Sequence, residues 1–295
     1  MIPARRWLPA AILVGLVAGY ALLQLQKAVD RYLEGYRTEV QILYLPSGEW
    51  VKRLSLGYHG LAACLYWTRA VQHYGRENLS KRQYKLLYPL LDITTTVDPE
   101  LILAYRFGAI FLAEPQPMGP GRPHEAIALL RKGLKQNPNQ WRLWYDMGFV
   151  YYRALKDYPR ASEAFLEGSK NPDSMYWMQV MAAKIAAEGG NRPRARFLWQ
   201  KLLESTDDPT IRGNAIRYLQ GLQVDDEVEI LEALVKRYRE QTGRQPHSFV
   251  ELLGAGLLRA LPRDPLEYPY QLTPDGRVLL HRDSPIITST KGRAQ

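Results

Sequence analysis

The sequence contains very few of the side chains from which most catalytic and metal sites are built. It has one cysteine, Cys64, and five histidines among 295 residues. A single cysteine excludes an intrachain disulfide and any metal cluster held by several cysteines. Because Cys64 lies in the apolar stretch from Leu61 to Trp67, we predict a small buried hydrophobic residue and not a reactive thiol.

The common sequence signatures of enzymes are also missing. No two histidines have the i, i+4 spacing that places two metal ligands on one face of a helix. The segment Gly119 to Gly121 is not followed by the lysine and hydroxyl side chains of a phosphate-binding loop. No serine lies in the Gly-x-Ser-x-Gly pattern of a nucleophile elbow. We therefore predict no enzymatic activity, no cofactor and no metal site.

The charged residues are mostly basic and are spread along the whole chain. Lys and Arg number 39 against 30 Asp and Glu, which gives a net charge of +9. Without a basic run, this excess predicts no nucleic-acid partner, and it favours acidic proteins or anionic lipid head groups. Two acidic groups, Asp207 with Asp208 and Asp225 to Glu227, are predicted to lie at helix starts, where they offset the helix dipole.

The one long hydrophobic run lies near the start of the chain. Trp7 to Leu25 is a stretch of 19 uncharged residues preceded by Arg5 and Arg6, and about 20 helical residues cross a bilayer. We predict an uncleaved membrane anchor, with a cleaved signal peptide and a soluble core helix as alternatives. The positive-inside rule places the N-terminus in the cytoplasm. The rest of the chain is then periplasmic or extracytoplasmic, on a single-pass protein of the inner membrane.

A regular spacing of small and bulky residues recurs in the middle of the chain. Ala126, Leu130, Gly133 and Pro138 are separated by four, three and five residues, and a similar pattern returns at Ala161 to Pro172. This pattern resembles the second helix of a tetratricopeptide repeat (TPR), and the resemblance covers Pro99 to Pro209. It implies a right-handed solenoid of helical hairpins whose first helices line a concave groove.

The resemblance also implies which residues hold the hairpins together and which face a partner. Small residues let two helices approach, and bulky residues fill the remaining space. The predicted packing residues are Gly108, Ala126, Leu130, Trp144, Gly148, Tyr151, Ala161, Phe165, Ala183, Ala195 and Trp199. The predicted partner-binding groove consists of Tyr105, Arg106, Arg142, Tyr145, Phe149, Tyr152, Trp177 and Lys184.

The segment before the repeats predicts a degenerate or capping helix pair. Its two apolar helices are expected around Leu54 to Tyr74 and Arg82 to Ile93. Pro89 is expected to kink or shorten the second helix, because proline cannot continue the hydrogen-bonding pattern of a helix interior. Within the repeats, Glu114 to Pro123 is too rich in proline and glycine for a helix and is predicted to be a loop.

The C-terminal part resembles the C-terminal region of the type II secretion major pseudopilin. The resemblance rests on Thr242, Gly243 and Pro246 after an amphipathic helix, then Glu251 to Leu253, then the loop from Leu261 to Tyr270. It implies a small α+β cap. A β-hairpin is predicted from Tyr270 to His281, because Asp275-Gly276 is a typical turn pair. The departure from the family is that the apolar helix lies about two hundred residues upstream and not directly before this region.

These patterns together predict a mainly α protein with four parts. They are a cytoplasmic tip with a transmembrane and juxtamembrane helix (1–40), a helical leader (41–98), an α-solenoid of TPR-like hairpins (99–209) and a C-terminal helix with a small α+β cap (210–295). We expect a bacterial membrane-anchored scaffold that binds a peptide or helix of other proteins during assembly of a secretion, pilus or similar envelope complex. The alternative is a structural subunit of a membrane complex, held through its transmembrane helix.

Overall fold

The chain is mainly α-helical, as predicted. The computed structural model describes residues 8–33, 45–79 and 84–288, and within the first helix it describes the side chains of residues 17–29. The described residues form twelve α-helices, one π-helix and one two-stranded sheet. The chain divides into two compact units, residues 1–98 and 99–295, and each is described by itself.

The first unit contains four helices. They are α1 (Leu8–Leu33), α2 (Gly48–Leu54), α3 (His59–Leu79) and α4 (Leu87–Val97). Helix α4 packs against both α2 and α3. A Cβ atom on Gly48 would lie 2.6 Å from the Thr96 Cβ atom, so glycine is what allows α2 to approach α4 this closely.

Helix α4 begins later than predicted, and this removes the conflict with its proline. Because the helix starts at Leu87, Pro89 lies in the first turn, where backbone N–H groups have no partner within the helix. The helix is therefore shortened at its start and not kinked. The predicted start at Arg82 lies outside the described residues.

The prediction that Cys64 is buried is wrong. Its thiol is exposed on α3, whereas Ala63 and Ala70 are completely buried. These two alanines are seven residues apart and therefore lie on one face of the helix. Cys64 follows Ala63 by one residue, or about 100° around the helix axis, which turns its side chain away from the buried face.

The predicted membrane segment lies partly outside the described residues, since residues 1–7 and the side chains of residues 8–16 are not described. Within the part of the chain that the structure describes, none of the helices is long and apolar enough to span a bilayer.

The second unit consists of consecutive helices followed by a small C-terminal element. The helices are α5 (Ile102–Ala113), α6 (Pro123–Gln136), α7 (Trp141–Phe149) with the π-helix Val150–Leu155, α8 (Tyr158–Gly168), α9 (Trp177–Glu188), α10 (Arg192–Ser205), α11 (Pro209–Thr242) and α12 (Phe249–Gly254). From α5 to α11, each helix packs against the next. The residues between α5 and α6 form a loop, as predicted.

Small residues lie where these helices approach one another. A Cβ atom on Gly148 in α7 would lie 2.7 Å from the Phe165 ring of α8, and one on Gly133 in α6 would lie 2.8 Å from the Tyr105 ring of α5. Trp144 is half-buried, while the other predicted packing residues are buried. These others are Gly108, Ala126, Leu130, Gly148, Tyr151, Ala161, Phe165, Ala183, Ala195 and Trp199.

Helix α11 corrects one prediction and confirms another. Asp208 caps its start, because one carboxylate oxygen accepts hydrogen bonds from the backbone N–H groups of Thr210 and Ile211. Asp225 to Glu227, in contrast, lie in the middle of this 34-residue helix and do not begin one. The apolar face of the helix continues past these acidic residues, with buried residues before and after them. The hydrophobic pattern is therefore that of one uninterrupted helix.

The C-terminal element packs on the second half of α11. Strands β1 (Gln271–Leu272) and β2 (Val278–Leu279) pair antiparallel, with Leu272 opposite Val278. The predicted hairpin is present, but its strands are shorter than predicted. Their apolar residues join a core with Val228, Leu231 and Val235 of α11. The Tyr270 hydroxyl also donates a hydrogen bond to Glu227 over 2.6 Å.

Candidate functional site: a groove between α5 and α7

A groove of about 720 Å³ lies between α5 and the α7 helix with its π-helical extension. Its apolar walls come from both sides, with Ile110 and Pro115 near the end of α5 and with Tyr145 and Phe149 from α7. Ligand pockets in proteins commonly have volumes of about 300–1,000 Å³. The groove is therefore large enough to hold side chains of a second molecule.

The π-helix forms one end of this groove. Val150, Arg153 and Ala154 line the groove, and Lys156 follows directly after the π-helix. Lys156 has a left-handed backbone conformation with φ of 54°, which ends the helix. Arg153 and Lys156 are both exposed, so the groove has a basic rim. Single π-helical turns often occur at functional sites.

The aromatic wall of the groove is held in place from behind. The Tyr145 ring lies edge-on to Phe149, Phe165 and Trp177, with centroid distances of 4.8, 6.1 and 5.2 Å. Phe149 also meets Phe165 edge-on at 5.2 Å. Because Phe165 lies on α8 and Trp177 on α9, these contacts fix the two groove aromatics against the following helices. Both remain half-buried.

A nearly buried ion pair lies beside the aromatic wall. The Arg106 Nε atom donates to Asp146 over 2.6 Å, and a second guanidinium nitrogen donates over 3.3 Å. The Asp146 side chain is 5% exposed and that of Arg106 is 29% exposed. Burial raises the pKa of Asp146, and the hydrogen bond from Arg106 only partly offsets this rise. The same bond raises the pKa of Arg106.

This pairing changes the role expected for Arg106. The sequence predicts a basic groove residue, but the Arg106 guanidinium donates hydrogen bonds to Asp146 of α7. Asp146 lines the groove in its place, with its charge balanced by Arg106. The free basic character of the groove comes from Arg153 and Lys156 instead.

Tyr105 does not line the groove, contrary to the prediction. Its side chain is completely buried, and its ring occupies the space that Gly133 leaves open on α6. The exposed residues of α5 are Leu103, Phe107 and Ile110, which lie on another face of the helix. Tyr105 and Tyr145 each lie three residues before a glycine, Gly108 and Gly148, but their rings pack against different residues.

The remaining predicted residues lie around the groove and not in it. The Trp177 ring contacts Tyr145 from α9. The Tyr152 hydroxyl donates to Glu188 over 2.8 Å, and this bond raises its pKa. Arg142 is exposed, with its guanidinium 4.6 Å from the centre of the Trp141 ring. Lys184 is exposed on α9.

Several groove residues were missed by the sequence analysis. They are Ala109, Ile110, Ala113, Glu114, Pro115, Asp146, Val150, Arg153, Ala154 and Lys156. One signal was present for Asp146: it lies 40 residues after Arg106, which is also the spacing from Gly108 to Gly148. Opposite charges at equivalent positions of two neighbouring helices, here α5 and α7, are expected to attract each other.

The described residues offer no alternative site built on metal chemistry, since none of them form a group of three or more potential metal ligands among His, Cys, Asp and Glu. The groove instead combines an aromatic wall, a balanced ion pair and a basic rim. The chain matches no family model and no curated protein.

Proposed function

We propose that this protein is a membrane-anchored bacterial scaffold that holds a segment of another protein in the groove between α5 and α7. The observation that carries the proposal is the aromatic wall of Tyr145 and Phe149 next to the basic rim of Arg153 and Lys156. Aromatic residues and arginine are enriched where proteins bind one another. The envelope complex that it serves, of the secretion or pilus type, follows from the resemblance of the C-terminal part.

The groove favours a segment with apolar and acidic side chains. Apolar groups of the segment can pack on Tyr145, Phe149 and Ile110. Arg106 already balances Asp146, and the remaining charged groove residues are Arg153 and Lys156 against one carboxylate, Glu114. The groove therefore keeps a net positive charge. An acidic side chain of the segment is attracted electrostatically to Arg153 and Lys156. The protein's net charge of +9 also attracts an acidic partner from a distance.

The architecture proposed around this groove is that of TPR-like hairpins. Its support is the succession of packed helices from α5 to α10, with small residues at their approaches. The C-terminal element is proposed to be the pseudopilin-like cap, and α11 connects it to the hairpins.

The anchor is proposed from the hydrophobic run that begins at Trp7. Among the described side chains of α1, Val17, Leu22 and Leu25 are all exposed, which is costly in water and favourable in lipid. The same residues serve the second candidate function, a structural subunit that is held through this helix. The two functions differ in whether the groove is needed for binding.

A pull-down of the full-length protein from its native membrane in mild detergent tests the proposal. The groove variant carries Arg153→Glu and Lys156→Glu, and the matched control carries Arg142→Glu and Lys184→Glu. All four positions are exposed and the change in charge is the same. We expect partners to be lost with the groove variant and retained with the control.

Retention of every partner by the groove variant would contradict the scaffold. If those partners are then lost when residues 1–40 are replaced by an unrelated membrane helix, the structural subunit is the better description.

A further inference from the structure

The first unit exposes a cluster of large apolar side chains that its own packing does not use. They lie within 16 consecutive residues, on α2, on α3 and in the turn between them. We call this the apolar turn surface, and it consists of Trp50, Leu54, Leu56, Tyr58, Leu61 and Leu65, each more than half exposed.

The turn at the centre of this surface has an unusual conformation. Leu56 has φ of 48° and is followed by Gly57 with φ of 94°. A leucine with positive φ is rare and costs conformational energy. Leu56 is nevertheless 86% exposed, so its packing within the described part of the chain does not explain why an apolar residue is held there.

Basic residues lie next to the apolar ones. Lys52 and Arg53 are in the last turn of α2, and the Arg53 guanidinium lies 5.7 Å from the centre of the Trp50 ring. Leucine with tryptophan, tyrosine and adjacent lysine or arginine is the composition of segments that lie in a bilayer interface.

The position in the chain also favours a membrane. Helix α1 ends at Leu33 and α2 begins at Gly48, so 14 residues separate them. A chain of that length can extend over about 45 Å, which lets α2 reach the surface of a bilayer that holds α1.

We propose that the apolar turn surface docks on the head-group region of an anionic lipid bilayer. Leu54, Leu56 and Leu61 enter the interface, and Lys52 and Arg53 contact lipid phosphates. The inference uses the proposed anchor to bring the chain to the membrane, but it does not depend on the groove in the second unit.

The single cysteine provides a direct test. Cys64 is exposed on α3 between Leu61 and Leu65, and it can carry a spin label on the full-length protein in vesicles that contain anionic lipid. A control label is placed by Gln72→Cys in a Cys64→Ser background. Position 72 is exposed on the same helix and lies about 12 Å further along its axis.

We expect the label at position 64 to collide with oxygen, which dissolves in lipid, and to be shielded from a water-soluble nickel complex. The label at position 72 should remain accessible to the nickel complex. Replacing Leu56 and Leu61 by glutamate should raise the nickel accessibility at position 64 about tenfold, because two leucines leave the apolar phase. Gln72→Glu with Thr68→Glu, in the protein labelled at position 64, gives the same change in charge without that loss.

Three results would overturn the inference. The label at position 64 could be as accessible to nickel as the label at position 72 while the protein still floats with the vesicles, which leaves only the anchor. The protein could fail to float with vesicles at all, which rejects the anchor as well. Shielding could instead rise with protein density together with spin–spin broadening, which assigns the surface to a second copy of the chain. None of these results bears on the groove.

Discussion

The pair of Arg106 and Asp146 shows how one contact defines the chemistry of the groove. Asp146 is nearly buried and would be unfavourable there as an isolated carboxylate. Arg106 holds it with two hydrogen bonds, and so α5 and α7 are joined by a charged contact at the groove. The consequence is that neither residue is available as a simple charge for a ligand.

A pH dependence follows from the raised pKa of Asp146. A carboxyl whose pKa is higher in the folded than in the unfolded protein stabilises the fold most when it is protonated. That contribution is therefore present below the ordinary aspartate pKa of about 3.8 and is lost as pH rises through the raised folded value. In Asp146→Asn this part of the pH dependence should disappear.

The measurement is the free energy of unfolding in urea at several pH values between 4 and 7. The wild type should lose more stability than Asp146→Asn as the pH rises across this interval. Asp173→Asn, which removes a carboxylate at an exposed position, is the control for the substitution itself. Parallel curves for the wild type and Asp146→Asn would contradict the prediction.

At the scale of the helix, glycine determines how closely neighbouring elements pack. Gly148 of α7 is in contact with the ring of Phe165 on α8, and the same ring supports Tyr145 and Phe149. The spacing of small and bulky residues in the sequence indicated this type of contact. It did not indicate the π-helix after α7, which turns Arg153 and Lys156 toward the groove.

Gly148→Ala should therefore destabilise the protein. The new Cβ atom would lie 2.7 Å from the Phe165 ring, so the ring or the helix has to move. We expect a loss of about 1–3 kcal/mol in the free energy of unfolding, as is usual for overpacked cores. Loss of partner binding should accompany it, because the aromatic wall of the groove moves with Phe165.

A second glycine gives the control for this prediction. Gly213 lies in α11, and no atom would come within 4 Å of an added Cβ. Gly213→Ala should raise the stability by about 0.5–1 kcal/mol through helix propensity alone. Equal effects of the two substitutions in urea unfolding would argue against close packing at Gly148.

At the scale of the second unit, α11 connects the helices to the C-terminal element. It packs against α10, and near its middle Asp226 accepts hydrogen bonds from both Arg192 and Arg196 of α10. Its second half carries the β-hairpin, with Tyr270 bonded to Glu227. Asp226 and Glu227 are adjacent residues on one helix, so the two contacts share a single rigid element.

Tyr270→Phe should loosen the C-terminal element. It removes the hydroxyl that donates to Glu227 over 2.6 Å, while the buried ring remains. We expect a loss of about 1–2 kcal/mol and faster hydrogen exchange at the backbone N–H groups of β1 and β2. Tyr268→Phe, at a half-buried tyrosine of the preceding loop, should change the stability by less than about 0.5 kcal/mol. Unchanged exchange in Tyr270→Phe would show that the apolar core alone holds the hairpin.

The sequence by itself determined the mainly helical structure, the loop between α5 and α6, the turn of the hairpin and the cap formed by Asp208. These features depend on hydrophobic periodicity, proline, glycine and short polar side chains, which act over a few residues. It did not reveal that α11 continues through its acidic residues, because an acidic cluster within a helix and one at its start look alike in a single sequence.

Only the tertiary structure decided where individual side chains go. Tyr105 is buried because Gly133 leaves space beside it, and Cys64 is exposed because the alanine face of α3 is the one that packs. Arg106 forms an ion pair with Asp146 because α7 lies beside α5. In each case the outcome depends on a neighbouring helix that lies close in space but not in the local sequence, and local patterns carry no information about that neighbour.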